Sequence, residues 1–511
     1  RGPEAPSDPR LLPMDIPGIS QPARSAPRFP SASPIRSGLL ALLLTLAACG
    51  PAPGQRPADL IVIGQTAEPK SLDPQATTAL NDFRILVNLY EGLVRFRPGT
   101  LEPEPALAER WEISADGRRY TFHLRRGVRF HDGNPFDAEA VRFNFERMLR
   151  PDHPYHHTGP FPLAFFFHPI QTIEVLDPQT IAFELDQPFA PLLSNLAYPT
   201  GLLVSPTAVR RQDKDYGRRP AGTGPFRFVD WQPRRRVLLE RNPDYWGEPA
   251  RPRQRLFRPL SDPMTRVADL MAGGIDLVTE LSPDNLALLR GDPRFRVHEQ
   301  TGPHLWFLIL NTRSKPLADR RVRQALNLAL DKQALVEQVL QDTAAVAAGP
   351  VPAAFDWAWD PDLAPYPYDP ERARELLRQA GYGDGLRLRL LAPTSGSGML
   401  SPVQMATAIQ GNLAAVGVEL EIETYEWNTY LAKVNRGLEG QGDLAEMAWM
   451  TNDPDTLPYL ALRSAAGPEQ GGFNSGSYRN PRVDVLVEQA RRSTDRARRA
   501  ELYRELQRLV H

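Results

Sequence analysis

The sequence predicts an α/β protein of two lobes that face each other across a ligand cleft, with an extra domain inserted in the first. Three observations lead there. The 511 residues exceed what one ordinary core takes up. Short apolar strands alternate with helical runs closed by glycine around residues 60–93, 226–277 and 305–422. Between the first two of these, residues 98–199 hold mostly paired strands.

Composition excludes several classes. Lys+Arg of 60 against Asp+Glu of 61 leaves a net charge of -1, so no nucleic-acid partner is expected. All but five of the basic residues are arginine. The single cysteine rules out a disulfide framework, a cysteine zinc cluster and a CxxC pair. No cofactor or bound metal is expected.

That cysteine, Cys49, closes an apolar run from Ser37 to Ala48 with Arg36 before it, too short to span a bilayer and shaped like a secretory signal. Leu46-Ala47-Ala48-Cys49 resembles a bacterial lipobox, which implies lipid attachment at Cys49; a plain signal peptide with a free thiol is the other reading. Gly50 stands where an inner-membrane retention signal would place Asp. Residues 1–36, rich in Pro, Ser and Arg and lacking an initial Met, read as disordered or as a start site placed too early. Residues 37–49 are the signal, and 50–58 a Pro/Gly/Ala tether.

Leu60-Ile61-Val62-Ile63 is the first strand, and Ala79 to Leu93 a helix stopped at Gly92. The segment from Leu107 to Arg147 reads as a hairpin turning at Ser114-Ala115-Asp116-Gly117, a second short strand over Val128–Gly133, and a helix capped by Asp137. His153, His156 and His157 follow on a proline-interrupted loop, where solvation and metal ligation are both open readings. Ile170–Val175 and Thr180–Leu185 pair through Asp177-Pro178. Gly222-Thr223-Gly224-Pro225-Phe226 lacks the Lys-Ser/Thr of a phosphate loop and reads as a tight approach to a strand. Met264 to Gly274 is a helix before Ile275-Asp276-Leu277. Leu305–Asn311 is continuously apolar, as for a strand buried on both faces. Asp319–Asp331 is a helix with Val322, Ala325, Leu326, Ala329 and Leu330 on one face. Helix Asp369–Gly381, strand Leu386–Leu391, helix Gln404–Gly417, strand Val418–Ile422 and helix Arg496–Val510 complete the pattern.

The order of residues adds a resemblance. Trp111, Ser114, Asp116, Gly117, Tyr120, Thr121, Phe122, Leu124, Arg125, Gly127, Val128, Phe130, His131, Asp132 and Gly133 fall at the offsets of the signature segment of the family 5 solute-binding proteins, the extracytoplasmic receptors of ABC importers. Glu68–Pro74, Tyr90–Leu93, Gly222–Phe226, Arg241–Gly247 and Asp319–Asp331 are similar to further motifs of that family. The resemblance implies a periplasmic-binding-protein-like fold of the class II, cluster C type. Lobe I would comprise 59–97 and 200–301, the inserted domain 98–199, and lobe III 302–511, truncated at its C-terminus. It implies a monomeric receptor for a di- or oligopeptide, working with ABC permease subunits and their ATPase partners and touching the membrane by its lipid anchor alone. His131 is expected to mark the fold and not the solute.

A short zwitterion needs a carboxylate for its ammonium and a cation for its carboxylate. The polar turn after Trp449, with Asn452, Asp453 and Asp455, stands where relatives place the carboxylate; the alternative is that Asp453 only makes an Asx-turn with Pro454. Trp427 and Trp449 are aromatic walls or packed core, and Phe473 and Asn474 could line the same cavity. No single arginine can be chosen for the other end. A nickel or metal-chelate receptor of the same fold is a second reading, and a secreted hydrolase a remote third: His298-Glu299 and His304 are six apart with Gly302-Pro303 between, not one helical turn, and no GxSxG is present.

Overall fold

The structure, a computed structural model, describes residues 57, 59–396 and 398–511. Cys49, its signal and nearly all of the tether lie outside them. Ala58–His511 forms one unit by its contacts.

Leu60–Gln65 organises the first sheet. Gln254–Pro259 lies parallel on one side of it and Leu277–Val278 parallel on the other. Arg236–Arg241 and Phe226–Gln232 extend the sheet antiparallel. The intervening chain makes a separate antiparallel sheet, Ala108–Ile113, Arg119–Leu124, Thr180–Leu185 and Ile170–Asp177 in spatial order, around a core in which Phe145 meets Phe167 and Phe183 edge-on at 5.1 and 4.9 Å.

The signature segment folds mostly as its residues dictate. Gly117 turns at φ +69 and donates its N–H to Ser114, and the Asp137 carboxylate caps its helix by accepting from the Ala140 N–H at 2.9 Å. The second short strand does not form. Gly127 and Gly133 both take positive φ, so Val128–Gly133 curls into a turn with only an isolated bridge between Arg129 and Pro135. The first helix also stops early, at Leu89, because the extended Tyr90 drives its ring into the core, where the hydroxyl donates to the Leu72 carbonyl at 2.8 Å. Gly222 and Gly224 press against that helix end: a Cβ would stand 2.2 Å from the Leu89 oxygen and 2.6 Å from that of Asn88.

The third sheet runs His304–Leu310, Leu444–Met450, Leu386–Pro393, Val418–Tyr425, the first antiparallel and the others parallel. His304–Leu310 is the edge strand of this sheet and mostly half-buried, yet both its faces are covered: Trp306, Leu308 and Leu310 pack against one core and Phe307 and Ile309 against another. Helix Arg320–Ala329, capped by Asp319, and helix Pro402–Ala414 bury Val322, Ala325, Leu326 and Ile409 against this sheet. Trp427–Val434 is a further helix, started by Glu426, whose carboxylate accepts from the Asn428 and Thr429 N–H groups. Helices Pro481–Arg492 and Arg496–Val510 pack against Val351 and Phe355. Among the described residues no helix is long and apolar enough to cross a membrane.

Candidate functional site

In open parallel sheets the loops diverge at the carboxyl ends of the strands and leave a hollow there. Two such ends meet in this fold. On the first sheet, Thr66 follows Gln65 and Glu280 follows Val278. On the third, Thr394 follows Pro393, Trp427 lies just beyond Tyr425, Thr451 follows Met450, and His304, opposite Met450, begins the antiparallel edge. His304 lies within electrostatic reach of Glu280 and Arg84, which brings the two ends together. Its ring is solvent-exposed, yet surrounding protein holds its pKa below the ordinary histidine value.

The polar turn predicted from sequence faces inward. Asn452, Asp453 and Asp455 are all buried. Asn452 donates through Nδ2 to the Asn195 Oδ1 at 2.7 Å and accepts from the Thr456 hydroxyl. Asp453 accepts from the Ser194 hydroxyl at 3.0 Å and from Arg499 at 2.6 Å, and its Oδ1 also accepts from the Asp455 N–H, so its Asx-turn is real but is one contact of several. Asp455 pairs with Arg491 at 2.5 Å, while its other oxygen is buried with no hydrogen-bond partner. Burial pushes the Asp455 carboxyl up to about 6, against the pull of Arg491. Arg491 is clamped further, its guanidinium 3.3 Å from the Tyr459 ring centroid. Both aspartates of the turn thus have arginine counter-charges within the protein.

Trp449 and Phe473 come together edge to face at 5.3 Å, both half-buried. Trp427 borders the same apolar cluster as Trp449, stacks on Tyr430 at 5.9 Å, and lies under Gly396, where a Cβ would stand 2.7 Å from its ring. Asn474 turns away: its amide donates to the Tyr478 and Arg463 carbonyls and its oxygen accepts from the Tyr478 N–H, which shapes the loop beneath Phe473.

Several neighbours gave no signal in the sequence. Ser194 and Asn195 lie on helix Leu192–Ala197, whose Leu192 and Leu196 enter the core and leave the polar pair facing the Asn452 turn. Arg491 and Arg499 look like ordinary helix-surface charges until their partners are seen. Glu446, on strand Leu444–Met450, is fully buried with both carboxylate oxygens unpartnered, and burial raises its pKa to about 9.

His131 is internal. Its Nε2 donates to the Gly224 carbonyl at 3.0 Å and its Nδ1 accepts from the Gly222 N–H at 3.2 Å, tying the signature segment to the glycine turn. His156 donates to the Arg147 carbonyl and His157 pairs with Asp213. Among the described residues no group of three or more His, Cys, Asp or Glu side chains is placed to hold a metal ion. His298 and Glu299 lie outside any helix, Glu299 paired with Arg290, and His304 begins a strand, so the three form no helical zinc motif.

Residues 102–470 match the family model described as bacterial extracellular solute-binding proteins, family 5 Middle. The di/tripeptide-binding protein 2 of Pseudomonas aeruginosa (strain UCBPP-PA14) is 34% identical over 93% of this chain and 92% of its own length. The heme-binding protein A of Haemophilus influenzae is also 34% identical, over 83% and 80%. Among solved structures, the ABC transporter-associated periplasmic binding protein DppA from Helicobacter pylori, in complex with the peptide STSA, superposes with a TM-score of 0.76 at 32% identity, covering 88% of this chain and 90% of that one.

Proposed function

The chain belongs to the bacterial extracellular solute-binding proteins of family 5, and on that premise we propose that it captures di- or tripeptides outside the cytoplasm and hands them unaltered to an ABC importer. What supports this reading is the approach of two sheet ends, where His304 comes within electrostatic reach of the Arg84–Glu280 pair; in this reading the crevice for the guest lies there, and the half-buried Trp449 and Phe473 lend it an apolar wall. A peptide suits such a place: its main chain can pair with loop amides, and its side chains can rest in wet, tolerant space.

In this reading the protein works as a monomer without cofactor or turnover, Cys49 carries the lipid anchor, and permease subunits with their ATPases are the partners. The lobes are those drawn from sequence, 59–97 with 200–301 against 302–511, with 98–199 inserted. Kinship at equal identity to a protein named for haem widens the choice of guest, while the peptide-named relative shares more of its length with this chain. The metal-chelate alternative has no observation of its own. Native mass spectrometry of the full chain after incubation with a defined mixture of di- and tripeptides tests the proposal. Retention of peptides at one per chain is the expected result; retention of none overturns it.

A further inference from the structure

The cation that would hold a peptide's carboxylate was beyond reach of the sequence, but the structure narrows the choice. Arg491 and Arg499 are occupied by Asp455 and Asp453. Arg266, at the carboxyl edge of the first sheet, is buried and gives its donors to the Leu260, Ser261 and Glu280 carbonyls. Arg84 differs. It lies on helix Leu80–Leu89 with about a fifth of its side chain accessible, and it is held from two sides: Nη1 donates to the Asn81 Oδ1 at 3.1 Å and Nη2 meets the Glu280 carboxylate at 2.9 Å. Glu280 is itself fixed, its second oxygen 3.0 Å from the Thr66 hydroxyl and its backbone at φ +57, a conformation that costs a non-glycine residue free energy.

These contacts leave part of a five-donor planar fork unspent, aimed by two neighbours, at the carboxyl ends of Leu60–Gln65 and Leu277–Val278 and within electrostatic reach of His304 on the facing sheet. We propose that Arg84 receives the terminal carboxylate of the guest, with Asn81 and Glu280 as positioning residues that orient its guanidinium. Because Glu280 neutralises Arg84 before the guest arrives, the crevice is not left with a bare cation, and the guest's carboxylate gains hydrogen bonds from a group whose orientation is already set. This assignment rests on the peptide-receptor reading above.

The test uses the full chain, unmodified and as Arg84→Ala, Arg84→Gln and Glu280→Gln, each first shown to melt cooperatively. An equimolar dipeptide mixture and the same mixture with amidated C-termini are offered, and retention is read by native mass spectrometry. The unmodified chain is expected to prefer free acids over amides by roughly 10- to 100-fold, the range of a charge-assisted hydrogen bond in a partly desolvated site. Both Arg84 variants should lose that preference, and Glu280→Gln should reduce it. A merely structural role would weaken acids and amides alike and leave their ratio intact, which would overturn the assignment. Equal retention of acids and amides by the unmodified chain would also overturn it while leaving peptide capture standing. Retention of neither would remove the peptide reading and this assignment with it.

Discussion

Asn452 and Asn195, 257 positions apart in sequence, share a side-chain hydrogen bond of 2.7 Å that ties the turn after Trp449 to helix Leu192–Ala197. Both residues are buried, and the bond continues on each side, since the Asn195 amide donates to the Phe166 carbonyl and the Asn452 oxygen accepts from Thr456. Removing Asn452 therefore leaves the Asn195 side-chain carbonyl oxygen buried without its donor and frees the half-buried Thr456 hydroxyl. Asn452→Ala is expected to cost about 1–3 kcal/mol of stability, read as a lowered urea midpoint.

Asp453 is expected to have a larger effect on stability. Arg499 is itself buried, and although burial opposes its charge, Asp453 and the Tyr503 hydroxyl hold its pKa above the ordinary arginine value. Asp453→Ala leaves that guanidinium uncompensated, and a loss of about 3–5 kcal/mol is expected. Chemical denaturation checks it; a loss under about 1 kcal/mol would mean the residue serves only its local Asx-turn.

Glu446 makes stability depend on pH. Its folded-state pKa, about 9, stands above the ordinary 4.5, so between those values the folded state holds a proton that the unfolded chain releases. The stability of the neutral carboxyl is complete below about pH 4.5 and declines as pH rises toward 9, by at most about 1.4 kcal/mol per pH unit. Glu446→Leu, similar in volume and free of the charge, is expected to flatten that decline. Urea midpoints of both proteins at pH 5, 7 and 9 should converge at the lowest pH and separate at the highest.

Trp449 is the natural reporter for the proposed site. Its indole meets Phe473 edge-on and is half-buried, so a guest placed against that wall changes the ring's surroundings. Adding a retained dipeptide is expected to shift tryptophan emission, and Trp449→Phe should abolish most of that shift while weakening retention roughly tenfold. Fluorescence titration checks both effects.

His131→Ala offers the contrast. It removes hydrogen bonds to Gly222 and Gly224 and is expected to lower stability by about 1–3 kcal/mol with dipeptide affinity unchanged, measured by thermal melting alongside titration.

Elements whose cause is local were legible in the sequence. The Asp137 and Asp319 caps, the Ser114–Gly117 turn and the apolar face of Arg320–Ala329 follow from neighbouring residues. Those decided by distant contacts were not. Tyr90 ends its helix because a core pocket awaits its ring, and nothing in the apolar run His304–Leu310 tells that it has a strand neighbour on one side only. At the candidate site the turn from Asn452 to Asp455 was found by its polarity, but its counter-charges were hidden: nothing local separates Arg491 and Arg499 from the arginines beside them on the same helices, and Arg84 and Glu280 meet only once two strand ends are adjacent.

The pairing of Leu60 with Gln254 and of Ile63 with Leu277 has a consequence in time. The first strand of the described residues gains one sheet neighbour only when the chain has grown past Pro259 and the other past Val278, so the organising sheet closes long after its first strand is made. Until then the polypeptide holds an unmatched edge and a slow search over long loops, which favours late folding over early collapse.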